Sequence, residues 1–377
     1  MSSPPRDFRM PAEWHPHTAT WLSWPHNLDT WPPHLLPAVE RTYAEMIRLL
    51  LTGERVDLLV TDEAMERRAR EVVGAVDGLP YELITHQVPT IDAWIRDYGP
   101  TFVVDVAPHH PVTRKPSVGT LCPRPPLAMV NWRFNGWGGK YPEYERDREV
   151  PARINERVQV PRFEPGIVFE GGSIEVNGRG TVLTTEQCLL NPNRNPHLNR
   201  AELDQVMGDY LGVTQVVWLG QGIAGDDTDG HVDDLARFVN ETTVVCVVED
   251  DPADENHASL QANFELLGRS KDQDGQPLHL VPLPMPDPVY TDESSIFTTH
   301  QSPLATFRRL PASYANFLIG NAVVLVPVFD DPNDARALAI LQELFPTRHV
   351  VGLDCRALVF GYGSIHCVSQ QQPQPLS

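Results

Sequence analysis

The chain has 377 residues, 41 % of them apolar, so it is long enough to bury a large core without a disulfide or metal staple. Lys and Arg total 30 against 50 Asp and Glu, and the formal net charge of −20 disfavours phosphate backbones and anionic lipid as partners. Five scattered cysteines without a C-x-x-C pair, a start that is not a signal peptide, and apolar runs as short as VVLVPVF (323–329) predict a soluble cytoplasmic protein that binds neither nucleic acid nor membrane.

Proline, at 36 residues, is close to twice its usual share of ~5 % and is spread between apolar runs, which predicts many short elements joined by rigid turns. From the N-terminus, WLSWPH (21–26) precedes a helical pattern at 34–51, a strand RVDLLVT (55–61) and a further helix near 62–76. WIRDYGP (94–100) follows, then a stretch at 105–165 with Pro-rich and aromatic insertions. Three segments then read as β-hairpins, each an apolar run, an Asn/Gly turn and a second β-branched run: SIEVNGRGTVLTT (173–185), LARFVNETTVVCVV (235–248) and NFLIGNAVVLVPV (316–328). Behind each lies a helical pattern, at 199–212, 253–268 and 333–345, followed by a short strand-like run at 214–220, 278–284 and 348–354. In the last helix Asn333 or Asp334 is the expected N-cap, and Ala337, Leu338, Leu341, Leu344 and Phe345 form the apolar stripe.

Hairpin, helix, strand thus recurs. WLSWPH, WIRDYGP, FEGGSIEV (169–176), DDTDGHVDD (226–234), LPASYANF (310–317) and GYGSIHC (361–367) mark it off at intervals of roughly 70 residues. An open three-layer α/β sheet is the competing arrangement. The repeated hairpins favour a closed α/β ring of about five ββαβ-like units, with no linker to divide residues 1–377 into separate domains. In such a ring the equivalent loops converge at the centre, and polar residues crowd those loops.

Cys367 sits in GYGSIHCVSQQQP, bracketed by glycines and followed by a tail expected to end the strand. With a distant histidine it is the minimum for thiolate catalysis. Cys188, Cys246 and Cys355, and more loosely Cys122, read as small core hydrophobes. His366 is set aside as the base, because adjacent residues on a strand point to opposite faces. In DDTDGHVDD, His231 and Asp233 are expected on one side of a strand, where a carboxylate can orient an imidazole or share a substrate with it. The segment could also be a solvated acidic loop. A calcium loop fails where Phe238 stands in place of the final glutamate. Asp229, His231 and Asp233 also spell the D-x-H-x-D of binuclear manganese ureohydrolases, but the further carboxylate pairs that chemistry needs are missing apart from Asp272 and Asp274 in a polar loop. Asp97 stands beside Arg96, which could simply neutralise it, and Glu170 precedes two glycines, where it could be only a turn residue. Together the set is one thiol, one imidazole and three carboxylates in one phase of a repeat. Two carboxylates match the fork of a guanidinium, and a thiolate aimed at its carbon could attack it.

WLSWPH, WIRDYGP, FEGGSIEVNGRGTVLTTEQCLLNPNRNP, GDDTDGHVDDLARF, LPASYANFLI and IHCVSQQQP, in this order, resemble the agmatine deiminase family over residues 10 to 373. That family belongs to the guanidino-group-modifying superfamily that includes peptidylarginine and arginine deiminases. The resemblance implies a five-bladed α/β propeller, the pentein fold with pseudo-fivefold symmetry, and a hydrolase of linear amidines that needs no metal or cofactor. It makes Cys367 the nucleophile and His231 the general acid/base, with Asp97 and Asp233 gripping the guanidinium and Glu170 orienting His231 or assisting at the guanidinium. The implied reaction releases ammonia, passes through an amidino-thioether on Cys367 and yields N-carbamoylputrescine from agmatine, in putrescine synthesis or agmatine breakdown. Trp94 and Asp227 are the candidates for the amine end, since carboxylates and aromatic faces suit a cation. The family usually carries three glycines in its G-G-G-x-x-H-C stretch, and here Tyr362 replaces the middle one. A manganese ureohydrolase, a deiminase of arginine or peptidylarginine, and a silent guanidine-binding protein remain as alternatives, and a homo-oligomer stays open.

Overall fold

The computed structural model describes residues 7–106, 125–291 and 308–375. Cys122 lies outside the described residues. Among the described residues the strands form five separate sheets, three of three strands and two of four. One plan recurs: an antiparallel pair, a helix, then a strand parallel to the second member of the pair.

The three expected hairpins form it most simply. Glu175–Val176 pairs antiparallel with Thr181–Thr185, helix Arg200–Leu211 crosses over, and Gln215–Leu219 returns parallel to Thr181–Thr185. Ala236–Phe238, Thr243–Val248, helix His257–Arg269 and His279–Pro284 repeat this, as do Leu318–Ile319, Val323–Val328, helix Asp334–Leu344 and His349–Asp354. The fourth sheet follows the same order with Thr101–Asp105, Leu127–Val130, helix Val150–Val158 and Arg162–Phe163, and adds Phe8–Arg9 at its edge. In the fifth the C-terminal strand Ser369–Pro373 takes the first place, antiparallel to His17–Ser23. Helix Leu36–Leu50 then leads to Arg55–Val60, and helix Glu63–Val73 to Leu83–Gln87, both strands parallel to their predecessors. The last strand, Ser369–Pro373, and the second, His17–Ser23, therefore share one sheet.

Local chemistry explains where these elements stop. Helix Arg200–Leu211 begins with a capping box, Asn199 accepting from the Glu202 amide while Glu202 reaches back, and ends at Gly212 with φ +68°. Helix Glu63–Val73 is capped by the Asp62 carboxylate. Asn333 does occupy the N-cap position of the last helix but makes no side-chain cap bond; Asp334 instead accepts from Phe329 N and Asp331 N. The central strands are buried on both faces, so they read as continuous apolar runs rather than alternating ones. Among the described residues no helix is long and apolar enough to cross a membrane.

Two expectations fail here. The QQQP segment does not end a strand: Ser369–Pro373 is the strand, and Cys367 and His366 lie in the turn before it. His231 and Asp233 are not on a strand either, because His231 precedes a single 3-10 turn, Val232–Asp234, and the strand starts at Ala236. The alternation argument that set His366 aside thus loses its basis.

Candidate active site

Each sheet receives its first paired strand from a short turn, and those turns carry the polar residues. Asp97 lies in the turn Ile95–Tyr98 before Thr101–Asp105, and Glu170 just before the turn Gly171–Ser173. His231 and Asp233 lie in the turn before Ala236–Phe238, Asn316 before Leu318–Ile319, and Cys367 before Ser369–Pro373. All six stand shortly before the strand that follows. Three of them, His231, Asp97 and Asp233, also meet in space around Gly172. A methyl group placed on Gly172 would lie 2.6 Å from His231 Nδ1, 2.9 Å from Asp97 Oδ1 and 3.1 Å from Asp233 Oδ2. Only glycine leaves room for that convergence.

Every one of these groups is held by neighbours. Asp97 accepts from the Gly172 amide at 3.0 Å and from Trp137 Nε1 at 2.9 Å, and its Oδ1 is 3.6 Å from His231 Nδ1. Arg96 does not neutralise it; that guanidinium turns the other way, to the His366 carbonyl and the Gln371 side chain. The loop carrying His231 is clamped by Asp226, whose carboxylate accepts from the amides of Thr228, Gly230 and His231. His231 Nε2 and Asp233 Oδ1 are buried and have no hydrogen-bond partner among the described residues. Glu170 accepts from Arg194 Nε at 2.7 Å, and Arg194 is fixed in turn by Asp229 at 2.6 Å. With Lys140 also on Asp229 at 2.7 Å, the D-x-H-x-D reading loses its first ligand. Asp272 is a turn residue that accepts from Asp274 N and Gln276 N.

Asn316 and His366 were not anticipated as site residues. Asn316 Oδ1 accepts from the His366 amide at 3.0 Å, while Nδ2 donates to Asp234 Oδ1 at 3.0 Å and lies 3.1 Å from Cys367 Sγ. One amide thus aims a donor at the sulfur and ties its loop to that of His231. His366 Nδ1 meets Asp233 Oδ2 at 2.6 Å and His366 Nε2 meets Glu13 Oε2 at 2.7 Å, so the ring bridges two buried carboxylates. That leaves Asp233 with one oxygen fixed and one free.

Trp94 and Asp227 are placed differently. Trp94 is buried at 5 % exposure and tilts against Trp31, with its ring under Gly363, where an added Cβ would come within 2.4 Å of it. Asp227 is half-buried and accepts from the Tyr141 hydroxyl. Tyr362 adopts φ +68°, the left-handed conformation that glycine takes at little cost and a tyrosine only under strain.

Charge in the site is arranged to receive a cation. Burial pushes the Asp97 carboxyl up, and the charges of Asp233 and Glu170 add to it against His231. Asp233 is also pushed up by burial, but His366, His231 and Arg237 outweigh that and hold it below the usual carboxylate range. His231 is pushed down by burial, yet Asp97, the contact with Cys188 and Asp233 lift it well above an ordinary imidazole. Cys367 is raised well above the ordinary 9.0 by burial and by Asp233, Asp234 and Asp97. In the empty site, near pH 7, the thiol is therefore neutral and His231 carries a proton. Iodoacetamide should alkylate Cys367 slowly at about pH 7 and faster with rising pH to beyond 9. A reactive cationic amidine, which cancels the carboxylate field, should be much the faster reagent at neutral pH; equal rates would contradict this electrostatic account. Burial also raises Cys246 and Cys355, each to about 12. Both read as structural.

An open cleft of about 600 Å³ lies elsewhere, lined by Arg133, Arg148, Arg153 and Arg162. Each of those arginines faces a glutamate, and none of the groups above lines it.

A buried thiol, an imidazole and paired carboxylates on turns of equivalent position invite comparison with known proteins. The family model of the Porphyromonas-type peptidyl-arginine deiminases matches residues 9–373. The chain belongs to that family. Among curated relatives, the agmatine deiminase of Pseudomonas aeruginosa is 38 % identical over 385 residues, covering 99 % of this chain and 98 % of the relative. Among solved structures, agmatine deiminase of Enterococcus faecalis superposes with a TM-score of 0.85 at 31 % identity, covering 100 % and 99 % of the two chains. A cysteine-to-serine agmatine deiminase of C. jejuni with substrate bound superposes with a TM-score of 0.81 at 30 % identity, covering 98 % and 97 %. Membership in the family and the α/β fold thus agree with the resemblance read from the motifs.

Proposed function

We propose that this protein is an agmatine deiminase, a hydrolase that converts agmatine and water to N-carbamoylputrescine and ammonia through a covalent intermediate on Cys367. The observation that carries this reading is the convergence of His231, Asp97 and Asp233 in a buried site, with Cys367 held by Asn316 in the field of the same carboxylates, in a family whose full-length relatives include agmatine deiminases.

Guanidinium binding begins the sequence. The free Asp233 Oδ1 and the Asp97 carboxylate accept its N–H groups, in the paired geometry that suits a planar cation. Its positive charge offsets the three carboxylates that keep Cys367 neutral, so the thiol releases its proton to solvent water and the Asn316 amide stabilises the thiolate. The sulfur adds to the guanidinium carbon. His231, already protonated, transfers its proton to the departing nitrogen, and ammonia leaves. The C–S bond now holds an amidinium. The neutral His231 takes a proton from water, hydroxide adds to the same carbon, and the C–S bond breaks to release the thiolate while the new O–H proton passes to solvent, leaving the neutral ureido product. No step calls for a metal or cofactor. Glu170, within reach of His231 and locked by Arg194, holds that ring in place.

Agmatine is favoured over peptidylarginine because His231, Asp233 and Glu170 are at most 1 % exposed, which suits a slim free ligand. It is favoured over free arginine by the Asp227 carboxylate on Tyr141, whose ring packs on the Trp137 that donates to Asp97, with Lys140 engaged by Asp229. We read residues 1–377 as one catalytic domain of five repeats, closed into a five-bladed pentein propeller and working in the cytoplasm. The shared plan of the five sheets and the pairing of Ser369–Pro373 with His17–Ser23 support the closure. Purified protein given agmatine should release ammonia and N-carbamoylputrescine at a rate that survives EDTA. Putrescine and urea as products would overturn the reading in favour of a ureohydrolase.

A further inference from the structure

The nucleophile is not the only thiol in the site. Cys188 was expected to be a core hydrophobe, and it is fully buried at the first turn after Thr185. Yet its Sγ, a Glu170 oxygen and a His231 ring nitrogen all lie within 4.8 Å of one another. Cys188 Sγ is 4.0 Å from Glu170 Oε2, the carboxylate oxygen that does not face Arg194 Nε. His231 Nε2, buried, has no hydrogen-bond partner among the described residues. We infer that Glu170, Cys188 and His231 form a binding site for one soft divalent cation of the zinc type, and that filling it inhibits the enzyme.

The donor set chooses the metal. A thiolate, an imidazole and a carboxylate suit zinc, whereas magnesium, calcium and manganese prefer oxygen alone. Zinc bonds of about 2.0 Å to O or N and about 2.3 Å to S bring tetrahedral ligand atoms roughly 3.3–3.6 Å apart. The ligand atoms, now within 4.8 Å of one another, must draw together by about 1 Å, and Glu170 can do so through Oε2 while Oε1 stays on Arg194. Three protein ligands leave a fourth position, open to water. On binding, the Cys188 thiol loses its proton and a His231 nitrogen gives its lone pair to the metal. That nitrogen then cannot carry the proton that turnover moves, so inhibition follows from the role proposed for His231; binding itself does not depend on that role.

Cobalt(II) reports on the site without reference to activity, since a thiolate ligand produces a charge-transfer absorption in the near ultraviolet. Titrating the full chain with Co²⁺ should develop that absorption to one equivalent, and Zn²⁺ should abolish it by displacement. The band should persist in Cys367→Ser and vanish in Cys188→Ser, with Cys188→Ala as the second variant should the first fail to fold. In zinc-buffered assays the concentration needed to halve the activity should rise at least about tenfold in the Cys188 variant, a modest figure for a lost ligand when outer partners alone cost 10- to 100-fold. No band in the wild type, or a band lost in Cys367→Ser and kept in Cys188→Ser, would overturn the assignment. A band with no effect of zinc on turnover would leave the site standing and remove its inhibitory role.

Discussion

Cys367→Ser should lose at least about a thousandfold in turnover with agmatine while keeping the fold. Removing a nucleophile from a cooperating set has cost about a millionfold where nothing replaces it, so a thousandfold is a lower bound. The hydroxyl sits in the same field of Asp97, Asp233 and Asp234 that already raises a thiol far above its ordinary value. An alcohol starts several units higher still, so guanidinium binding cannot ionise it. The contact with Asn316 Nδ2 at 3.1 Å survives the change, which is why the fold should be untouched. Steady-state ammonia release and a circular dichroism melt measure the two halves of this expectation. Retention of more than about a tenth of the wild-type rate would remove Cys367 from the mechanism.

Arg237→Met should cost roughly 3–5 kcal/mol of stability, the usual penalty for leaving buried charges without their partner. Arg237 is wholly buried and donates to Glu175 at 2.8 Å, to Glu13 at 2.9 Å and to the carbonyls of Ala315 and Phe317. Its guanidinium also lies over the Phe317 ring, 4.7 Å from the centroid. Methionine fills much of the volume but leaves Glu13 and Glu175 facing each other in a low dielectric. The exposed pair of Arg179 and Glu241 at 3.0 Å is the control: Arg179→Met should cost no more than about 1 kcal/mol. Urea denaturation of both variants checks the contrast, and equal losses would contradict it. Glu13 also contacts His366, which contacts Asp233, so the first variant should bind guanidines more weakly as well.

Much of this was legible before the coordinates, and for a physical reason. Helices such as Arg200–Leu211 carry their boundaries locally, in the Asn199 capping box and in Gly212. The hairpins were legible because Asn/Gly turns separate β-branched runs, and recurrence multiplied that signal. The turns before each first strand were harder. His231 and Asp233 were assigned to a strand because i and i+2 share a face there, but one 3-10 turn, held by Asp226, brings them together instead. His366 was set aside on the same strand geometry. Its two carboxylate partners, 133 and 353 residues away in sequence, leave no local trace. Asn316 could have been found: it stands in LPASYANF just before the strand Leu318–Ile319, as Cys367 stands just before Ser369–Pro373, and only its uncharged side chain hid it.

The amidino-thioether on Cys367 tests the central claim most directly. In the proposed mechanism its hydrolysis needs His231 as a neutral base, and Asp97 and Asp233 hold that imidazole well above its ordinary 6.5 against the effect of burial. The neutral fraction therefore shrinks as pH falls, and the second half-reaction slows while the protonated ring still serves the first. Protein mixed with agmatine at mildly acid pH, quenched in acid and analysed by intact mass and peptide mapping should carry one amidine, on the peptide that contains Cys367. Cys367→Ala should carry none. An adduct on another cysteine, or turnover without any adduct at any pH, would contradict the account.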